Sequence, residues 1–216
     1  MEADGLEKII TQRRSIRQWK RDEVPDQLLR KAVELATWAP NGGNFQGWHF
    51  TVVKNRAVLS RMADAVQSTV DKMASWPEAA PWKTEMERSQ KNASFFREAS
   101  ACIAPFVTRY ESHLDQLLAA RAGADGEARE ILAFRKFAPT STQSAAAAVA
   151  TLLLALHAMG LGAVWLGAPL LAKRTIESIL QAPPNLDLVC LVAVGYPAEQ
   201  PQKDRKPVDK VLNFIY

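Results

Sequence analysis

Apolar positions along the chain change period several times, and each change marks an element. Leu6, Ile9 and Ile10 stand at helical spacing beside Asp4 and Glu7, the pair a capping box uses, and predict a first helix to about residue 12. Leu28, Leu29, Ala32, Val33, Leu35 and Ala36 repeat that period in a second helix opened by Val24-Pro25-Asp26, where the missing proline N–H costs little. Pro40 disfavours helix at the residue before it, and from Trp48 to Val53 the period becomes two, that of a strand. Helical spacing returns from Ala57 to about Val70 and loosens from Asp71 to Arg97. Ala101 to Thr108 then reads as a buried strand, with Pro105 marking an edge or a bulge.

A second polar excursion, 109–143, holds a helical stretch near Leu114 to Ala120 and a Gly123-Ala124-Asp125-Gly126 break. Residues 145–172 are almost wholly apolar, long enough to raise the question of a membrane span. Alanine richness, His157, Pro169 and the breaks at Gly160 and Gly162 argue instead for a helix buried in a core or dimer, started near Ser141-Thr142-Gln143-Ser144 and capped by Gly160. A short strand at Ala163 to Leu166, a helix from Ala172 to Leu180 and a strand within Leu186 to Gly195 follow. The apolar end, Val211 to Tyr216, must dock on its own subunit or on a partner.

Composition narrows the class. A chain of 216 residues with 48% hydrophobic and 23% charged content suits one soluble domain, 1–216, with excursions at about 71–97 and 109–143. The net charge of +4 comes from basic residues scattered among acids, which argues against a nucleic-acid stripe and leaves small phosphates as the anionic ligands to consider. Cys102 and Cys190 sit in apolar runs, as reduced core thiols of a cytoplasmic protein would, and no spacing suggests a metal. No secretory pattern opens the chain.

Two stretches carry candidate chemistry. Arg13-Arg14-Ser15-Ile16-Arg17 packs three guanidiniums and a hydroxyl into five positions; such a cluster grips phosphate, or simply solvates a helix end. The loop Trp38 to Trp48, with its glycines and asparagines, offers exposed backbone to a flat ligand, or is an ordinary turn. Trp76, Trp82, Phe95 and Phe96 in the first excursion suit a lid over an apolar pocket, or anchors to the core. His49 and His157 read as core or interface histidines. Gly160-Leu161-Gly162 follows a helix and lacks the third glycine, so it is no dinucleotide fingerprint.

In order and spacing these pieces resemble the FMN-dependent nitroreductase superfamily over nearly the whole chain: Arg13-Arg14-Ser15-x-Arg17, Ala39-Pro40-Asn41-Gly42-Gly43-Asn44-Phe45-Gln46-Gly47-Trp48, the long apolar helix, Gly160-Leu161-Gly162 with Trp165, and Gly195-Tyr196-Pro197 before a basic turn. The resemblance implies an α+β fold with a mostly antiparallel central sheet flanked by helices, a C-terminal tail exchanged in a homodimer, and one FMN in each interface cleft. It places Arg13, Arg14, Ser15 and Arg17 on the phosphate and pyrimidine edge and Lys203 and Arg205 on the phosphate from the C-terminal side. Pro40, Asn41 and Gly42 lie along the isoalloxazine, Asn44 reaches it from the other subunit, and backbone N–H groups near Leu166 and Gly167 approach N5. Asn41 replaces the usual serine and Gly47 the usual proline. The activity implied is NAD(P)H-dependent reduction of nitroaromatics, quinones or similar small acceptors by ping-pong hydride transfer, with no catalytic side chain singled out. A dehalogenase-like flavin enzyme is the alternative, suggested by Arg205-Lys206-Pro207-Val208-Asp209, and a non-enzymatic basic module stands behind both.

Overall fold

The computed structural model describes residues 3–108 and 110–216. Its centre is an antiparallel sheet whose strands are Trp48–Val53 (β1), Ala101–Thr108 (β2), Gly162–Leu166 (β3), Leu186–Leu188 (β4) and Leu191–Gly195 (β5), in the order β1-β2-β5-β3 with β4 also on β2. Period-two alternation sorts side chains to two cores. Cys102, Ala104, Phe106, Leu191 and Ala193 pack under helices Arg56–Ala74 (α3) and Lys173–Ile179 (α8). Ala101, Ile103, Val192 and Val194 pack under Asp26–Ala36 (α2) and Thr140–Ala158 (α7). Strand β2 reads as one apolar run because both of its faces are covered.

Pro105 lies in the middle of the sheet, so the edge reading is corrected and the bulge sits on the partner. Ile103 faces Val192 and Phe106 faces Leu188, so Ala104 and Pro105 stand against Val189, Cys190 and Leu191. That extra residue splits the expected single strand into β4 and β5. The Pro105 carbonyl still accepts a bond from the Val189 N–H, 3.0 Å.

The first helix, Ala3–Gln12 (α1), already contains Asp4 in its first turn, so Asp4 is not the expected cap. Helix α7 starts at Thr140, ahead of the start signal expected at 141–144. A helical run from Gly126 to Ala158 is long and apolar enough by composition to cross a membrane. Ala138 and Pro139 interrupt it, and α7 buries Val149, Leu152 and Leu156 against α2 and the sheet.

The excursions are more helical than their patterns suggested. The first contains Lys83–Asn92 (α4), which buries no side chain, while Phe96 just beyond it is core and Trp76 and Trp82 are exposed. The second folds as a hairpin of His113–Arg121 (α5) and Gly126–Phe137 (α6). A capping box of Ser112 and Asp115 opens α5, and Asp115 pairs with Arg135 of α6, which holds the Asp115 carboxyl well below its usual range. The tail expected to dock somewhere is exposed along its length, with Ile215 and Tyr216 fully so.

Candidate functional site

The last turn of α7 builds the first half of the site. Gly160 takes φ +77° after the Met159 cap, and the Leu161 N–H returns to the Leu156 carbonyl at 2.9 Å while the Gly160 N–H reaches His157 at 3.0 Å. This left-handed stop turns the chain straight into β3. There the segment after α1 is clamped to the sheet margin. Ser15 bridges Ala163 in parallel, the Ile16 N–H donates to the Ala163 carbonyl at 3.1 Å, and Trp19 Nε1 donates to Gly162 O at 2.9 Å. Contact is so close that a Cβ on Gly162 would lie 2.8 Å from Ile16 Cγ1.

Between this clamp and the C-terminal segment lies a cleft of about 430 Å³ whose wall includes Arg13, Arg14, His157, Gly162 and Glu199. Its basic groups act on one another. Burial, then Arg205, then Arg14 hold the Arg13 pKa below its usual value. Burial, then Arg13 and Arg14, lower that of His157. Among the described residues Arg13, Arg14 and Arg205 have no carboxylate partner within 4.0 Å. Glu199 is occupied elsewhere, accepting from the backbone N–H groups of Arg17 and Gln18. Arg14 Nη1 donates to the carbonyls of Thr11 and Arg13, yet its Nε is buried without a partner. Like charges gathered without an ion-pair partner, one with an orphaned donor, suit an anion.

The loop after α2 forms the second half. Gly42 N–H donates to Ser144 Oγ at 3.2 Å, and Asn41 Oδ1 accepts from the Gln46 N–H at 2.9 Å. Gly43, Asn44 and Gln46 all adopt left-handed φ, between 51° and 60°, which bends the loop outward with Asn44 exposed. A Cβ on Gly42 would meet Thr140 Cγ2 at 2.2 Å, and Phe45 leans on Tyr110 with ring centres 5.0 Å apart. It is therefore the second excursion that touches this loop. A hollow of about 520 Å³ opens beside it, lined among others by Tyr110, Asp115, Arg135, Lys136 and Thr140.

One protomer does not unite the expected residues. Ser144 and His157 are thirteen residues apart on α7, roughly 20 Å at helical rise, so the cleft and the Pro40–Asn44 loop lie at opposite ends of one helix. Leu166 and Gly167 stand at the far end of β3, about 13 Å of strand beyond Gly162. Arg205 joins the cleft electrostatically, whereas Lys203 is exposed outside its lining. Sequence reasoning left His157 as a core or interface histidine and passed over Glu199, both of which line the cleft, and Tyr110 and Thr140, which buttress the loop. His157 could have been found from its place four residues after Leu153, in the turn that Gly160 ends.

The nitroreductase family model matches residues 10–196. An NADH dehydrogenase of Thermus thermophilus is 30% identical, over 93% of this chain and 91% of its own. A BluB-like flavoprotein from Clostridium difficile superposes with a TM-score of 0.84 at 24% identity, covering 98% and 99% of the two chains. A nitroreductase in complex with FMN from Desulfovibrio desulfuricans gives 0.67 at 26% identity, covering 100% and 99%.

Proposed function

Since this chain belongs to the nitroreductase family, we propose that it is an FMN-dependent oxidoreductase that takes reducing equivalents from NAD(P)H and delivers them to a nitroaromatic, quinone or similar electron-poor acceptor. The observation that carries this reading is a cleft walled by Arg13 and Arg14, neither with a carboxylate partner among the described residues, where the Arg205 charge acts on Arg13 and Arg14 Nε lacks a partner. A flavin phosphate fits that need: it brings about two negative charges and acceptor oxygens for guanidinium donors. The solved FMN complex among similar structures supports the same cofactor.

Arg13, Arg14, Ser15 and Arg17 would hold the phosphate and pyrimidine edge, with Lys203 and Arg205 closing from the C-terminal side. Pro40, Asn41, Gly42 and Asn44 would lie along the ring, and the backbone near Leu166 and Gly167 would offer donors to it. FMN, when bound, would supply the two-electron chemistry between NAD(P)H and the acceptor, which would use one site in turn. The chain's own work is to orient and tune: preorganised N–H donors at the ring stabilise negative charge there without reorganising. The α5–α6 hairpin, beside the Gly42 loop, covers the acceptor side and excludes water.

Because the two half-sites sit at opposite ends of α7, a complete site takes the cleft of one protomer and the loop of another, and we read the protein as a homodimer. Leu6 and Ile10 of α1 are about half exposed, and β1 leaves its outer edge bare among the described residues. The tail 211–216 is apolar and exposed, suited to that edge in a second copy. The dehalogenase-like reading draws on Arg205-Lys206-Pro207-Val208-Asp209, but residues 71–97 contain no tyrosine with which to grip a phenolic substrate in the manner of that group.

The test is the visible spectrum of protein purified without added cofactor, followed under nitrogen with NADH and NADPH. A yellow protein that bleaches with either donor and is reoxidised by a nitroaromatic or quinone supports the reading. A protein that stays colourless after incubation with FMN and desalting overturns it. Turnover of halogenated tyrosine by the reduced protein, without turnover of nitroaromatics, moves it to the dehalogenase class.

A further inference from the structure

His157 stands in the cleft with no role so far. It belongs to the last turn of α7, half-buried, on the wall that also holds Arg13 and Arg14. The groups that face it can be counted by element. From the segment after α1 come Arg13 and Arg14, whose charges act on the imidazole directly. From the C-terminal segment comes Glu199, which the Arg17 and Gln18 N–H groups hold, while Arg205 acts on Arg13. Leu153 of α7 and the start of β3 at Gly162 and Ala163 add no charge. Among the described residues no carboxylate pairs with His157. The imidazole thus looks into a cationic cleft from a low-dielectric wall. With the cleft empty both influences favour the neutral ring.

A phosphate among the arginines reverses the local field. Resting on the cofactor reading above, we propose that His157 is a further phosphate-facing group of the cleft, which takes up a proton as the FMN phosphate is seated and releases it as the phosphate leaves. Its charge is unwelcome beside bare guanidiniums, but once the anion is there the imidazolium becomes a further donor to it. At the negative end of α7 the imidazolium is also favoured by the helix dipole. Cofactor retention is then coupled to pH through one residue.

The sign follows from linkage. His157 has a low pKa in the empty cleft and a higher one in the loaded cleft. The extra affinity it confers is therefore fully present below the empty-cleft pKa and is lost as pH rises through the loaded-cleft pKa. Each unit of separation between the two is about a tenfold gain in FMN affinity. The phosphate's own second ionisation, near pH 6, works the other way and must be subtracted.

The experiment is an FMN titration by flavin fluorescence quenching from pH 5.5 to 9, on apo wild-type protein and on His157→Gln, which keeps a donor but cannot titrate. Wild type should bind about tenfold more tightly than H157Q at pH 6, with the two curves meeting by pH 9. Calorimetry in buffers of different ionisation enthalpy should show more proton uptake on binding in wild type than in H157Q. Parallel affinity curves and equal proton uptake overturn the proposal while leaving the cofactor assignment intact. Failure of the wild type to bind FMN at any pH overturns both. In case H157Q does not fold, the ring proton of His157 is followed by NMR in wild type, assigned through His49→Gln and His113→Gln. Its pKa must rise when FMN is added; an unchanged or lowered value refutes the coupling.

Discussion

Arg13 offers the sharpest separation between a binding role and a structural one, because the two predict effects of opposite sign. In the FMN-free protein Arg13 is crowded by burial and by Arg205 and Arg14, and no carboxylate relieves it. Arg13→Ala removes that crowding, and among the described residues the Arg13 side chain makes no hydrogen bond to lose, so the melting temperature without FMN should hold or rise slightly. With FMN the same change deletes a charge-assisted contact of roughly 1.5–3 kcal/mol, which weakens binding about 10- to 150-fold. At an FMN concentration about a hundredfold above the wild-type Kd, the ligand stabilises the protein by about 2.7 kcal/mol, or roughly 5–11 °C for a chain of this size. The R13A variant at the same concentration should keep about half of that shift or less. Differential scanning fluorimetry with and without FMN, paired with a direct titration, reads both quantities. A variant that melts several degrees lower without FMN yet binds it within twofold of wild type would identify Arg13 as part of the fold and refute the phosphate grip.

The remaining predictions concern the loop, the tail and the thiols. Gly42→Ala drives a Cβ into Thr140 Cγ2 and should cost about 1–3 kcal/mol of stability; Thr140→Ser, which removes that methyl, should restore most of it in the double variant, and no restoration would mean that the loop strains elsewhere. Deleting residues 211–216 removes side chains that touch little of their own chain, so the protomer should remain folded by circular dichroism while light scattering reports a monomer and the flavin-to-protein ratio falls. Burial pushes the Cys190 thiol up to about 12 and that of Cys102 still higher, so neither should react with a disulfide reagent at pH 8 until denaturant is added.

The parts of this architecture that sequence reveals are those where one periodic face meets one core. The change from helical to two-residue period across Pro40 located α2, the loop and β1, because Leu29, Ala32 and Ala36 on one side and Val53 on the other are buried. Helices α4, α5 and α6 were harder to read, since among their residues only Ala128 is buried and no apolar stripe is needed. The α5–α6 hairpin is held instead by Asp115 and Arg135, a pair twenty residues apart that no local pattern announces. The division of β4 from β5 was hidden for another reason: a one-residue slip against β2 leaves the composition of the run unchanged. At the site, the arginine cluster was visible as a motif, but its meeting with Arg205 depends on a turn nearly two hundred residues away. The distance between cleft and loop follows from how much of α7 separates their anchors, which no motif records.

That separation also has a genetic reading. Two copies that exchange halves of a site can mend each other's lesions: a mixed pair of Arg13→Ala and Asn44→Ala chains would contain one site with both defects and one with neither. Co-expressed alleles, each inactive alone, should then recover up to about a quarter of the wild-type activity, half of the sites in the half of the pairs that are mixed. Two alleles damaged in the same half should recover none.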